Sequence, residues 1–217
     1  MPDKKICPIC NKRRAERYCP AKGEKICAID CGTEREVSID CPSDCSYLVA
    51  AHRWEQSHPK PLGESDIPFP DVTFPPDIIR TRQEILSGLG YTVARYAADQ
   101  RSLTDTDVFA AVQAMTETRR TLLSGIYYEK PPEIPVVAGL YAALSKFIEE
   151  EMKRAAEHPE FPAIKDMELF QLLVFFLRFA RLRSNGRPHT RGFIEFLRSQ
   201  FPIEASVTKE EPRIILP

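Results

Sequence analysis

Beyond Cys45 the chain contains no cysteine, and its 217 residues include only 4 histidines, 1 tryptophan and 9 glycines. A long stretch without thiols excludes a disulfide framework for most of the molecule. No glycine-rich phosphate loop, no His-Glu-x-x-His pair and no Gly-x-Ser-x-Gly elbow occurs, so the common signatures of phosphoryl transfer, zinc proteolysis and serine hydrolysis are missing. Charge of one sign is also lacking. Thirty Lys plus Arg against 31 Asp plus Glu leave a net charge of −1, which excludes a global field that would draw the chain to nucleic acid or an anionic membrane. The longest apolar run, Leu172 to Leu177, falls far short of the roughly 20 residues that span a bilayer. Met1-Pro2-Asp3-Lys4-Lys5 leads into cysteines without an apolar signal core, so the expectation is a cytoplasmic protein with no membrane partner. With 43% hydrophobic and 28% charged residues, the composition is that of a globular protein.

What is present is concentrated at one end. All 7 cysteines, Cys7, Cys10, Cys19, Cys27, Cys31, Cys41 and Cys45, lie within the first 45 residues. An odd number of thiols in a reducing compartment points away from disulfides and towards metal. Zn²⁺ takes four thiolate or imidazole ligands in a tetrahedron, and short loops such as Cys7/Cys10, Cys27/Cys31 and Cys41/Cys45 hold two ligands together at little cost in loop entropy. A segment this polar buries little core, so metal would supply much of its folding energy. Residues 1–57 therefore read as a zinc-binding module.

The runs Cys7-Pro-Ile-Cys10, Tyr18-Cys19-Pro-Ala-Lys22, Ile26-Cys27-Ala-Ile-Asp-Cys31 and Cys41-Pro-Ser-Asp-Cys45 resemble the MYND and HIT classes of cross-brace zinc finger. In those families ligand pairs alternate between two zinc ions. The resemblance implies a first site of Cys7, Cys10, Cys27 and Cys31, and a second site containing Cys19, Cys41 and Cys45. Two departures stand out. Lys22, an ammonium that cannot coordinate zinc, stands where the family has its next ligand, and the last pair is Cys41/Cys45 where the family has a histidine first. The second site thus lacks a fourth ligand, for which His52 is the first candidate and His58 the next. If Cys45 and His52 share one helix, seven residues separate them by about 10.5 Å, near the limit that one ion can bridge. The resemblance covers about the first 50 residues and leaves the remainder unassigned.

Residues 58–76 read as a proline-rich linker, with Pro59, Pro61, Pro68, Pro70, Pro75 and Pro76 preventing helix, and with Ile67, Phe69, Val72 and Phe74 alternating as if laid along an apolar surface. Residues 77–217 read as an all-α domain. Helical periodicity runs from about Asp77 to Arg101, with Gly88 and Gly90 marking a weak or closely packed point. Thr104-Asp-Thr-Asp107 has the form of a capping box, followed by Val108, Val112, Met115, Leu122 and Ile126 on the inner side, with Pro131-Pro132 ending the helix. A third helix from Pro135 turns Val137, Leu140, Tyr141, Leu144 and Ile148 inward, and a fourth, Asp166 to about Arg183, is apolar nearly all round. Ser184-Asn-Gly-Arg-Pro188 reads as a turn, with Thr190 capping a last helix that carries Phe193, Ile194, Leu197 and Phe201. The expected architecture is mainly α: a small two-zinc cross-brace module, the linker, and a compact bundle of about five helices.

Three functional readings follow. The first is a non-enzymatic zinc-binding adaptor that engages a protein partner, motivated by the cross-brace resemblance and the missing catalytic motifs; MYND-like domains bind proline-containing peptides and HIT-like ones serve ribonucleoprotein assembly. The second is nucleic-acid binding through the segment Arg178 to Arg198, where Arg181, Arg183, Arg187 and Arg191 flank a helix-turn-helix outline and Glu195 is the sole acid. Such arginines also commonly cap helix carbonyls and pair with surface acids. The third is a zinc-dependent enzyme using an open three-cysteine site, disfavoured because thiolates neutralise the ion. Glu55-Gln-Ser-His58 matches one half of a di-iron motif, which needs two copies.

Overall fold

The computed structural model describes residues 5–58, 61, 63–158 and 162–203. Met1 to Lys4 of the expected zinc-binding module, Pro59, Lys60 and Leu62 of the expected linker, and 159–161 and 204–217 of the expected helical domain lie outside the described residues. The chain is mainly helical.

The cysteine-rich end is built from a small hairpin and two helices. Strands β1 (Arg17–Cys19) and β2 (Glu24–Ile26) pair antiparallel with Tyr18 opposite Lys25. Their turn closes through Gly23, whose φ of +68 is in the region that favours glycine. Helix α1 (Ala28–Thr33) follows at once, its N-cap being Cys27, whose sulfur accepts the Asp30 backbone N–H at 3.3 Å. Helix α2 (Ser46–Ser57) begins after Cys45, which is its N-cap and so stands outside the helix that carries His52. The core of this part consists of Cys7, Ala15, Cys19, Ile26, Cys27, Ile39, Cys41 and Leu48, with Ile9, Cys10, Cys31 and Cys45 packed against it. Half of those fully buried residues are cysteines, leaving little hydrocarbon to drive folding.

The helical part comprises α3 (Ile78–Thr81), α4 (Gln83–Asp99), α5 (Asp105–Leu123), α6 (Pro135–Glu157), α7 (Asp166–Arg183) and α8 (Gly192–Gln200). Helix α5 packs on α7 and α6, and α4 on α6 and α8. The inward residues of α6 are those its periodicity predicts: Val137, Leu140, Tyr141, Leu144 and Ile148 are buried. Gly88 marks close packing, since a Cβ there would stand 2.1 Å from the Phe147 ring. Thr104 caps α5 and Asp107 closes the box by accepting the Thr104 N–H at 2.8 Å.

Two local expectations are corrected. Helix α5 ends at Leu123, well before Pro131-Pro132, because Gly125 (φ +78) donates to Leu122 and Ile126 donates to Thr121, a Schellman stop that Gly125 makes possible. Ile126 is consequently 63% exposed rather than on the inner face. Thr190 reaches only the first amide of α8, accepting the Gly192 N–H at 3.4 Å, and Arg191 holds the N-cap position. The carboxylate of Asp105, at the start of α5, accepts the Phe193 and Ile194 N–H groups at 3.0 and 3.2 Å. Burial pushes the Asp105 carboxyl up to about 7 despite those donors.

The described part of the linker lies on α7, as its alternation suggests. The Arg178 guanidinium donates to the carbonyls of Pro68, Phe69 and Val72 and sits over the Phe74 ring, while Phe69 and Phe74 meet Phe170 and Phe175 edge to face. The cysteine-rich end is joined to the α7–α8 turn through a buried polar cluster. Glu36, 1% exposed and at φ 55, accepts from Asn185 at 2.9 Å, and its Oε1 lies 3.0 Å from His52 Nε2. The other ring nitrogen, Nδ1, lies 2.8 Å from Glu195 on α8. Arg187 donates to the Gly32 and Arg35 carbonyls at 3.1 and 2.6 Å, and Arg191 pairs with Asp40 at 2.6 Å.

Two predictions follow. Gly88→Ala forces the Phe147 ring aside and lowers stability by about 1–3 kcal/mol in denaturant unfolding. Burial alone would lower the His52 pKa, but Glu195 and Glu36 outweigh it and raise it to about 10. A raised pKa stabilises fully below the unfolded value near 6.5 and loses that contribution as pH climbs towards 10. The stability advantage of the native chain over His52→Gln is therefore largest at pH 6 and shrinks progressively to pH 10, as read by urea unfolding at each pH.

Candidate metal centre

The loop after Cys7 is shaped by its own backbone. Asn11 donates to the Cys7 carbonyl and Cys7 to the Arg13 carbonyl, both at 2.8 Å, with Asn11 at φ 52. This curl turns Cys7 and Cys10 to one side. The hairpin then delivers Cys27 immediately after β2, and one turn of α1 places Asp30 beside it. One donor atom each from Cys7, Cys10, Cys27 and Asp30 lie within 4.8 Å of one another, largely buried.

Those residues fit a tetrahedral ion. Bonds of about 2.3 Å to sulfur and 2.0–2.2 Å to oxygen require donor separations of about 3.4–3.8 Å, so only a small contraction is needed. The donor chemistry fits as well. The Cys7 thiol donates to Asp30 at 3.0 Å, and Arg13 reaches Asp30 at 3.2 Å and the Cys27 sulfur at 4.0 Å. Bonds from the Cys10, Cys7 and Cys27 thiols, aided by Arg13, hold the Asp30 carboxyl down at about 2. Burial alone would raise the Cys7 thiol, but backbone donors at Cys10, Cys27 and Ile9 bring it below its ordinary value. The cluster thus favours a carboxylate and draws the Cys7 thiol down, while burial raises that of Cys27.

The remaining expected ligands are placed differently. Cys31, on the next position of α1, lies outside that cluster and faces Arg35, whose guanidinium is 3.9 Å from its sulfur. Cys19, Cys41 and Cys45 share the same small core. Among the described residues, no other group of three candidate ligands meets the 4.8 Å spacing. His52 holds carboxylates on both ring nitrogens and so presents neither to sulfur. His58 stacks on Trp54 with ring centroids 4.5 Å apart and contacts the Trp54 carbonyl.

Of the arginines considered for nucleic acid, Arg187 and Arg191 bind the cysteine-rich end, as above. Arg181 and Arg183 stack on the Phe109 and Phe196 rings, each 4.3 Å from the centroid, and line a cleft of about 1220 Å³ with Trp54, His58 and Phe69.

Sequence reasoning missed Asp30, Glu36, Asp105 and Glu195. Asp30 carried a signal, because Cys27-x-x-Asp30 repeats the spacing of Cys7-x-x-Cys10 with oxygen in place of sulfur. Glu36, Asp105 and Glu195 act through partners far along the chain, which no local spacing reveals.

Arg13→Ala removes a cation that orients Asp30 and Cys27, and lowers zinc affinity by about tenfold. Competition with a chromophoric chelator measures this. No protein-family model, curated protein or solved structure matches the chain, so the candidate centre rests on its own geometry.

Proposed function

We propose that the chain is a non-enzymatic, zinc-binding adaptor acting on a protein partner in the cytoplasm, with two zinc ions shaping an N-terminal finger similar to the MYND and HIT classes. The observation that carries it is the convergence of Cys7, Cys10, Cys27 and Asp30. A bound zinc would be held by those groups and would fix the hairpin against α1, work that the sparse hydrocarbon core does poorly. Three thiolates and a carboxylate fill a tetrahedron, leaving no position for water, which suits a structural ion. Among the described residues no helix is long and apolar enough to cross a membrane.

The partner reading is supported by apolar surface. Between α5 and α6, Ile126, Tyr127, Tyr128 and Ile134 are 59–69% exposed, and Trp54 borders the cleft. Such grouped exposure marks association surfaces more than isolated apolar residues do. Nucleic-acid binding is the lesser reading, because Arg187 and Arg191 are occupied with carbonyls and Asp40 inside the chain.

Native mass spectrometry under reducing conditions tests the metal, with two zinc ions per chain expected and none overturning the reading. Affinity capture with nuclease treatment tests the partner: proteins retained after nuclease and lost with Tyr127→Ser/Tyr128→Ser support the adaptor, whereas nuclease-sensitive capture supports the alternative.

A further inference from the structure

We propose that the second ion is held by Cys19, Cys31, Cys41 and Cys45, with Asp30 replacing Cys31 at the first. The partition rests on the two-ion reading above and changes what the finger resemblance implies.

The placement begins in α1. Asp30 joins Cys7, Cys10 and Cys27, and Cys31 is the next residue, turned by about 100° around the helix. Neighbouring residues of one helix therefore serve different ions. All seven cysteines pack into one small cluster, and with Cys7, Cys10 and Cys27 gathered around Asp30, the sulfurs left in it are Cys19, Cys31, Cys41 and Cys45. Helix α1 lies against β1, the strand that ends in Cys19. After α1 the chain folds back through the Arg35–Ile39 bridge and the Glu36 N–H bond to Ile39 at 3.0 Å, which returns Cys41 to the same end. Cys41 lies close enough to Cys45 and Cys19 for the three sulfurs to interact electrostatically. These sulfurs are more widely spread than the first cluster, so the ion itself would draw them together.

The competing ligand is removed by geometry, since both nitrogens of His52 face carboxylates. Each sulfur cluster also has its own guanidinium: Arg13 is 4.0 Å from Cys27 and Arg35 is 3.9 Å from Cys31. A cation against sulfur fits a thiolate ligand in a site whose donors outweigh the charge of Zn²⁺. The 7 cysteines plus Asp30 then supply two complete tetrahedra with no imidazole. Loading releases the thiol protons to solvent as the metal–sulfur bonds form.

The test uses the full chain, stripped of metal under reducing conditions and titrated with Zn²⁺ or Co²⁺ in a native mass spectrometer. The native chain takes up two ions; none overturns the function reading itself, whereas a single ion leaves the first site standing and overturns this proposal. With two bound, Cys31→Ser and Cys41→Ser each leave one ion, and the double variant C31S/C41S still leaves one. Loss of both ions in the double variant puts Cys31 back in the first site, and two ions retained in C31S removes it as a ligand; either overturns the proposal. In the C41S background, Asp30→Ala weakens the remaining ion by at least tenfold and Asp30→Cys retains it, while unchanged affinity in D30A overturns the role of Asp30. Should the double variant not fold, cobalt spectra of C31S and C41S decide. The proposal requires the same three-sulfur, one-oxygen spectrum from both, and different spectra overturn it.

Discussion

Three sulfurs and a carboxylate crowded within 4.8 Å cannot all be anionic without a cation among them. Much of the N-terminal architecture follows from that constraint. The hairpin, the Cys7–Cys10 curl and the first turn of α1 are short elements with few apolar side chains, and each ends where a donor is required. The thiol proton between Cys7 and Asp30 and the guanidinium of Arg13 supply positive charge on a small scale. A divalent ion would supply two positive charges at the centre and convert mutual repulsion into four bonds, with Arg13 offsetting part of the remaining negative charge.

The second constraint is the buried joint. Glu36 adopts a left-handed backbone, which costs about 1–3 kcal/mol, and its carboxylate is nearly sealed from water. His52 and Asn185 satisfy that carboxylate from two other segments. Buried charge of this kind adds little net stability over an apolar substitute, but removing one partner leaves the others uncompensated. It therefore specifies how the cysteine-rich end sits on the α7–α8 turn. The arginines of that turn, which a linear reading offers to phosphate, are engaged within the chain: Arg187 satisfies carbonyls at and just beyond the end of α1, and Arg191 pairs with Asp40.

The helical part was legible because its determinants are local. Periodicity placed the inner face of α6, the capping box opened α5, and the alternating apolar residues of the linker laid it on the helical part, although the Arg178 contact that holds it there was not foreseen. The misreadings have different causes. Gly125 stopped α5 early through a local turn whose signal was overshadowed by the later prolines, whereas Asp105 satisfies the next amides of α8 from across the fold, beyond the one that Thr190 reaches. At the metal centre the cysteine spacing was readable, but Asp30 was passed over because it is not a cysteine. His52 was offered as a ligand because its position along the chain suited one, while the two glutamates on its ring lie 16 and 143 residues away.

The cap that Asp105 provides to α8 spans 88 and 89 residues of sequence. Helix α8 is short, and its first-turn amides depend on a side chain that is correctly placed only once α5 has formed. Closing so long a loop carries a large entropic cost before any contact rewards it. The first-turn amides of α8 are therefore satisfied only while α5 is in place, and because Glu195 on α8 also holds His52, the seat of the cysteine-rich end depends on α5 at one remove.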